Sequence, residues 1–206
     1  MKILAIQNRM GIGDTVIFLP YIKALSKKFN SPISLLVKEN SKADQFLYQT
    51  DYIDKIILLE RDKCLKNKHA GFFGSINLIK EIRKHNFDKI IIFNSSFRFN
   101  LIAKFSRIPE IYQYPLFQKE KQHIIETPRK FFKEKLNIKV RKDPEIQINN
   151  EVISKSIEKF QINKNEKNIL LGVGGSGPTK RIPASIFLNI IEKVSNEMKC
   201  RFFLAT

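Results

Sequence analysis

Short apolar runs alternate with stretches of helical period along most of the chain. "KILAIQ" (2–7), "ISLLVK" (33–38), "KIILLE" (55–60) and "KIIIF" (89–93) read as strands. The last is continuously apolar, as in a sheet covered on both faces. Between these runs, residues 15–29 bring Ile17, Ile22, Leu25 and Phe29 near one helical face, with Pro20 expected to kink or restart the helix. Residues 41–49 read as a helix capped by Ser41, and residues 75–85 set Ile76, Ile79 and Ile82 one turn apart. Further on, 97–106 reads as helix, 110–115 as extended, 130–136 as helix, "EIQI" (145–148) as strand and 149–160 as helix. The alternation predicts an α/β fold with a doubly wound, mostly parallel sheet, whose ligands sit beyond the carboxyl ends of its strands.

A polar connector, "NKNEKN" (163–168), precedes a fresh unit: strand 169–174, loop 175–181, helix 183–198 and strand 200–205. The pattern therefore predicts one domain over 1–165 and the beginning of a second over 166–206. A unit of about 40 residues is too small for a core of its own. The expectation is that the second domain is incomplete within these 206 residues.

Composition narrows the partners. The chain carries 43% hydrophobic residues, enough for a core, and a formal net charge of +17. That charge favours an anionic partner: nucleic acid, an anionic membrane face or a phosphorylated small molecule. Lysine is spread over nearly every segment, which also suits an ordinary solvated surface. Cys64 and Cys200 lie far apart and read as free thiols in a reducing compartment. No apolar stretch reaches the roughly 18 residues of a membrane span. The N-terminal run is broken by 7–9 and has no small-residue cleavage site, so a cytoplasmic, soluble protein is expected, touching a membrane at most peripherally.

Two loops carry candidate chemistry. In "NRMGIGDTVIFLP" (8–20), Gly11 and Gly13 allow a sharp turn and close approach of a ligand, ahead of a helix N-terminus that attracts anions. Val16 stands where a dinucleotide fingerprint needs glycine. Asp14 reads either as an N-cap or as a general base at the carboxyl edge of the sheet; capping lowers a carboxylate's pKa and weakens it as a base. In "GVGGSGPTKR" (172–181), the glycines, among them Gly175, free backbone N–H groups. Ser176 and Thr179 add hydroxyls, and Lys180 and Arg181 add positive charge. Pro178 follows Gly177, so this is no Walker loop, but phosphate binding is the favoured reading. Arg61, Lys63, Arg98 and His123 lie near predicted strand ends, each by itself an ordinary surface group. His69, His85 and His123 show no metal spacing, and no paired carboxylate motif is present to hold a metal on a nucleotide sugar.

Together these loops resemble glycosyltransferase family 9, the bacterial heptosyltransferases of lipopolysaccharide core synthesis. The likeness rests on 2–25 and 172–191, with "TDYIDKIILLE" (50–60), "FDKIIIFNSSFRFNLIAKF" (87–105) and "KQHIIE" (121–126) in the family's order between them. The resemblance implies a GT-B fold of two Rossmann-like domains, the first binding acceptor and the second nucleotide-sugar donor. It implies an inverting transferase moving a heptose from an ADP-linked donor to an anionic, lipid-linked core glycan, with no metal or other cofactor. Asp14 would then take the proton of the attacking hydroxyl, and Lys180 would neutralise the leaving pyrophosphate. Gly175, Ser176, Thr179 and Arg181 would help hold the donor phosphates. Gly11, Gly13, Arg61, Arg98 and His123 would lie on the acceptor side. "NSS" (94–96) departs from a D-x-x-G-like stretch common in the family, and the later donor segments lie outside these residues. The 206 residues alone are therefore expected to be inactive. The competing reading is a non-catalytic module that binds a phosphorylated ligand or nucleotide sugar. No nucleic-acid motif accompanies the charge, so nucleic acid is not an expected partner.

Overall fold

The computed structural model describes residues 1–9, 11–61, 68–116, 123–141, 143–174 and 181–205. It divides into two compact units, Met1–Gln147 and Ile148–Thr206. The helix expected over 149–160 groups with the second unit, so this division falls ahead of the polar connector near residue 166.

In the first unit the elements run β1 (Ile3–Gln7), α1 (Ile12–Phe29), β2 (Ile33–Lys38), a 3-10 turn (Glu39–Ser41), α2 (Ala43–Phe46), β3 (Ile53–Leu59), α3 (Gly71–Arg83), β4 (Lys89–Ile92), α4 (Phe97–Phe105), β5 (Glu110–Gln113) and α5 (Glu126–Leu136). The five strands form one parallel sheet in the order β3-β2-β1-β4-β5. Alternate residues of the strands feed two cores. Ile3, Ala5, Leu35, Val37 and Ile91 pack with α1, α2 and α5 on one face. Leu4, Ile6, Leu36, Ile90 and Ile92 pack with α3 and α4 on the other. Both faces are covered, which is why β1, β2 and β4 read as apolar runs without alternation. The chain order reverses between β1 and β4, and the crevice beyond the carboxyl ends of these two strands is where such sheets bind ligands.

The helix α1 is continuous through Pro20, which is buried in it. No restart occurs: packing of Phe18, Leu19, Tyr21 and Ile22 on the sheet holds the helix across the missing hydrogen bond. The helix expected over 41–49 is shorter, because Lys42 takes a left-handed conformation between the 3-10 turn and α2. Residues 145–148 form no strand. They attach to the first unit through side chains: Tyr52 Oη donates to the Glu145 carbonyl at 3.1 Å, Lys23 pairs with Glu145, and the Asp51 N–H donates to Gln147 Oε1.

The second unit comprises α6 (Asn150–Lys159), β6 (Lys167–Gly172), α7 (Ala184–Glu197) and β7 (Cys200–Ala205). β6 and β7 pair in parallel. Leu170, Leu188 and Leu204 are exposed, as expected of a sheet with two strands and little to cover it.

Candidate functional site at the carboxyl edge of the sheet

β1 ends in Gln7, and the chain must reverse within four residues to start α1 over the sheet. Gly11 makes that reversal at φ +99°, a conformation that L side chains rarely adopt. It stands at the N-cap of α1, and no side chain caps this helix end. Asp14 lies in the first turn, with its Oδ2 3.8 Å from where a Cβ on Gly11 would project. Its carboxylate makes no hydrogen bond or ion pair among the described residues. The first-turn position gives it the favourable field of the helix N-terminus while leaving its oxygens free. Gly13, whose missing side chain would meet only open space, keeps the turn uncovered.

The stripe of α1 that carries Asp14 continues one turn on to Phe18 and two turns on to Tyr21. Phe18 meets Phe93, just beyond β4, with ring centroids 5.0 Å apart. Phe93 in turn contacts Tyr114, just beyond β5. Asp14 thus lies one helical turn from Phe18, whose ring meets Phe93 at the end of β4, the strand beside β1. Tyr21 Oη donates to the Ile125 carbonyl at 2.8 Å, joining α1 to the start of α5. His123 belongs to the same junction. Its Nδ1 accepts from the N–H groups of Ile125 and Glu126, both at 3.3 Å.

The strand tips are tied by amides, of which only Asn94, in "NSS", stood out in the sequence. Asn94 Nδ2 donates to Asn8 Oδ1 at 3.1 Å, across the β1–β4 switch. Asn94 Oδ1 accepts from the Ser96 N–H. Gln113 Nε2 donates to the carbonyls of Asn94 and Ser96, and its Oε1 accepts from Asn100. The "NSS" stretch is therefore a polar clasp over three strand ends. Beneath it, Gln7 is 2% exposed with neither end of its amide paired among the described residues. The Tyr114 hydroxyl is likewise buried without a partner among them. Burial raises the Tyr114 phenol far above its ordinary value; neighbouring Tyr21 pushes it the same way, and the Arg9 cation opposes. The signal for Gln7, Asn8, Asn94, Gln113 and Tyr114 was positional: each lies at, or within two residues after, the end of a strand at the carboxyl edge.

Arg61 and Arg98 come together on the α3–α4 side of the same edge. Arg98 Nε donates to Ser75 Oγ at 2.9 Å and Nη2 to the His69 carbonyl at 2.5 Å. Its Nη1 is buried without a partner among the described residues. Burial, and then the Arg61 cation, lower the Arg98 pKa. An arginine with an unpaired nitrogen, beside a second cation, favours an anionic partner. His69 fixes the arrangement. It is fully buried, accepts from the Glu60 N–H at Nδ1, and faces Glu81 Oε2 at 3.3 Å through Nε2.

Gly175, Ser176, Thr179 and Lys180 lie outside the described residues. In the chain they fall between β6 and α7, and Arg181, which follows them, is exposed. Among the described residues no cluster of three or more His, Cys, Asp or Glu is placed to hold a metal ion.

No family model and no curated protein matches the chain. Solved structures do. The glycosyltransferase family 9 protein of Veillonella parvula aligns with 98% of this chain and 62% of its own, at TM-score 0.73 and 18% identity. The ADP-heptose lipopolysaccharide heptosyltransferase II of E. coli aligns with 99% of this chain and 64% of its own, at TM-score 0.69 and 16% identity. E. coli heptosyltransferase WaaC, solved with ADP-2-deoxy-2-fluoro heptose, aligns with the whole chain and 69% of its own, at TM-score 0.58 and 15% identity. The chain thus spans under two thirds of the length of the first two. It has the GT-B-like Rossmann α/β fold of the glycosyltransferase family 9 structures, over nearly its full length.

Proposed function

We propose that the protein is an inverting glycosyltransferase of the heptosyltransferase type, acting in the cytoplasm on an anionic, lipid-linked core glycan at the inner membrane face. The observation that carries this is the Asp14 carboxylate, unpaired among the described residues in the first turn of α1, which follows β1 at the carboxyl edge of the sheet. In this reading Asp14 takes the proton of an acceptor hydroxyl as its oxygen attacks the anomeric carbon. The bond from that carbon to the donor phosphate breaks on the opposite side, so the configuration inverts. The electron pair of that bond leaves with the nucleoside diphosphate, whose terminal phosphate gains one negative charge, and Lys180 with Ser176, Thr179, Gly175 and Arg181 would meet it. Arg61 and Arg98 would bind phosphate on the acceptor, while His123 and the strand-tip amides orient its sugar.

The donor of this reading is ADP-heptose, a substrate rather than a cofactor. The test is to supply the full-length protein with labelled ADP-heptose and a phosphorylated core acceptor. Transfer with inverted anomeric configuration, read by NMR, is the expected result. Donor binding with no transfer to any such acceptor would instead favour a non-catalytic module, and a retained configuration would refute the mechanism.

A further inference from the structure

The outer surface of α3 and α4 is largely apolar where the two helices face one another. The two helices leave a groove of about 520 Å³ between them, floored by Ile76, Ile79 and Leu101. Arg83 closes its far end by donating from Nε to the Phe105 carbonyl at 2.8 Å. At the other end, toward the carboxyl edge of the sheet, aromatics protrude. Phe72 and Phe73 are 76% and 80% exposed and contact one another edge-on, and Phe97 is 52% exposed. Exposed rings of this size, grouped on one face, mark an interaction surface.

The charge around the groove selects the partner. Lys80 and Lys84 follow Phe73 at helical spacings of 7 and 11, on the same stripe of α3. Lys104 follows Phe97 at spacing 7 on α4, and Arg107 comes two residues after that helix. Glu81 is the only acidic residue in either helix, and it is held by Lys68 and His69. Aromatic rings flanked by cations, with almost no anions, match a bilayer: rings enter the headgroup–acyl boundary while the cations meet anionic headgroups. No described helix is long and apolar enough to span a membrane, so the contact is one of surface.

We infer that the α3–α4 face docks the protein on an anionic phospholipid bilayer, with Phe72, Phe73 and Phe97 inserted and Lys80, Lys84, Lys104 and Arg107 on the headgroups. This rests on, and deepens, the reading of a lipid-linked acceptor: it sets the carboxyl edge carrying Arg61 and Arg98 beside the bilayer from which that acceptor projects.

The chain contains no tryptophan, so a single one reports cleanly. Phe73→Trp puts the probe in the patch. Tyr48→Trp puts it at a 65% exposed site that follows Leu47, a member of the opposite core cluster. With phosphatidylglycerol vesicles, Phe73→Trp emission should shift to the blue and be quenched by brominated acyl chains, while Tyr48→Trp emission stays put. Phosphatidylcholine vesicles should shift neither. Reversing charge at Lys80, Lys84 and Lys104 should weaken vesicle binding about tenfold or more, with circular dichroism unchanged. No vesicle binding, or vesicle binding without a Phe73→Trp shift, would overturn the inference. So would a Phe73→Trp shift that follows protein concentration without lipid, since the face would then join two copies of the chain. None of these readouts depends on sugar transfer, so loss of the transferase reading would leave a measured docking face intact.

Discussion

Gly74 lies against the backbone of His69 so closely that a Cβ at 74 would sit 2.2 Å from the His69 carbonyl carbon. That contact is with backbone, so no side-chain rotation relieves it. The same His69 carbonyl accepts from Arg98, and the His69 ring receives the Glu60 N–H. One glycine in α3 therefore lets the chain after β3 return tightly enough to anchor the arginine. Gly74→Ala should destabilise the first unit by about 2–3 kcal/mol, at the upper end of overpacking costs. Urea unfolding would measure it. An unchanged midpoint would mean that the return segment moves freely.

His69 also sets a pH dependence. Burial lowers its pKa below 6.5, and the opposing hydrogen bond to Glu81 does not compensate. Lys68, on the same Glu81 carboxylate, adds a smaller lowering. The unfolded chain then binds a proton more readily than the folded one. The neutral ring's contribution is complete above about 6.5, the unfolded value, and is lost as pH falls through the lower folded value. Stability of the wild type should therefore drop on acidification below 6.5, more steeply than in His69→Asn, whose amide oxygen can keep the Glu60 N–H. Parallel profiles would remove His69 as the cause. His85, also lowered by burial, contributes in both proteins, as do Glu81 and Glu110 at lower pH.

Gln7 offers a separation of stability from binding. A buried amide with no protein partner among the described residues costs the fold desolvation energy. Gln7→Met preserves length and removes that cost, so it should stabilise the unit by about 1 kcal/mol. If the amide serves the acceptor, the same change should raise acceptor KM roughly tenfold with donor KM unchanged. Lower stability with unaltered KM would instead assign Gln7 a structural partner.

Much of this edge was legible in the sequence for local reasons. Gly11 is needed where the backbone takes φ +99°, and the adjacent apolar runs fix β1 and α1 around it. Arg98 was legible only as a residue near a strand end, because its anchors, Ser75 and His69, lie 23 and 29 residues away. The Asn8–Asn94 bond spans 86 residues and exists only once β4 has inserted beside β1, so no local pattern announces it. "EIQI" has strand-like residues, yet no ladder forms: Tyr52 Oη donates to the Glu145 carbonyl, Lys23 pairs with the Glu145 carboxylate, and the Asp51 N–H donates to Gln147 Oε1. The second loop was equally readable as composition, but Gly175, Ser176, Thr179 and Lys180 fall outside the described residues.

The most direct measurement is kcat for Asp14→Asn in the full-length protein, alongside the Kd for ADP-heptose. The substitution keeps the size of the side chain and removes the base. The account predicts a fall in kcat of about 10² to 10⁴ with donor Kd unchanged, since Asp14 acts on the acceptor hydroxyl alone. Wild-type kcat in Asp14→Asn would contradict it: Asp14 would then be a first-turn charge serving the helix, and the base would have to be sought elsewhere along the crevice.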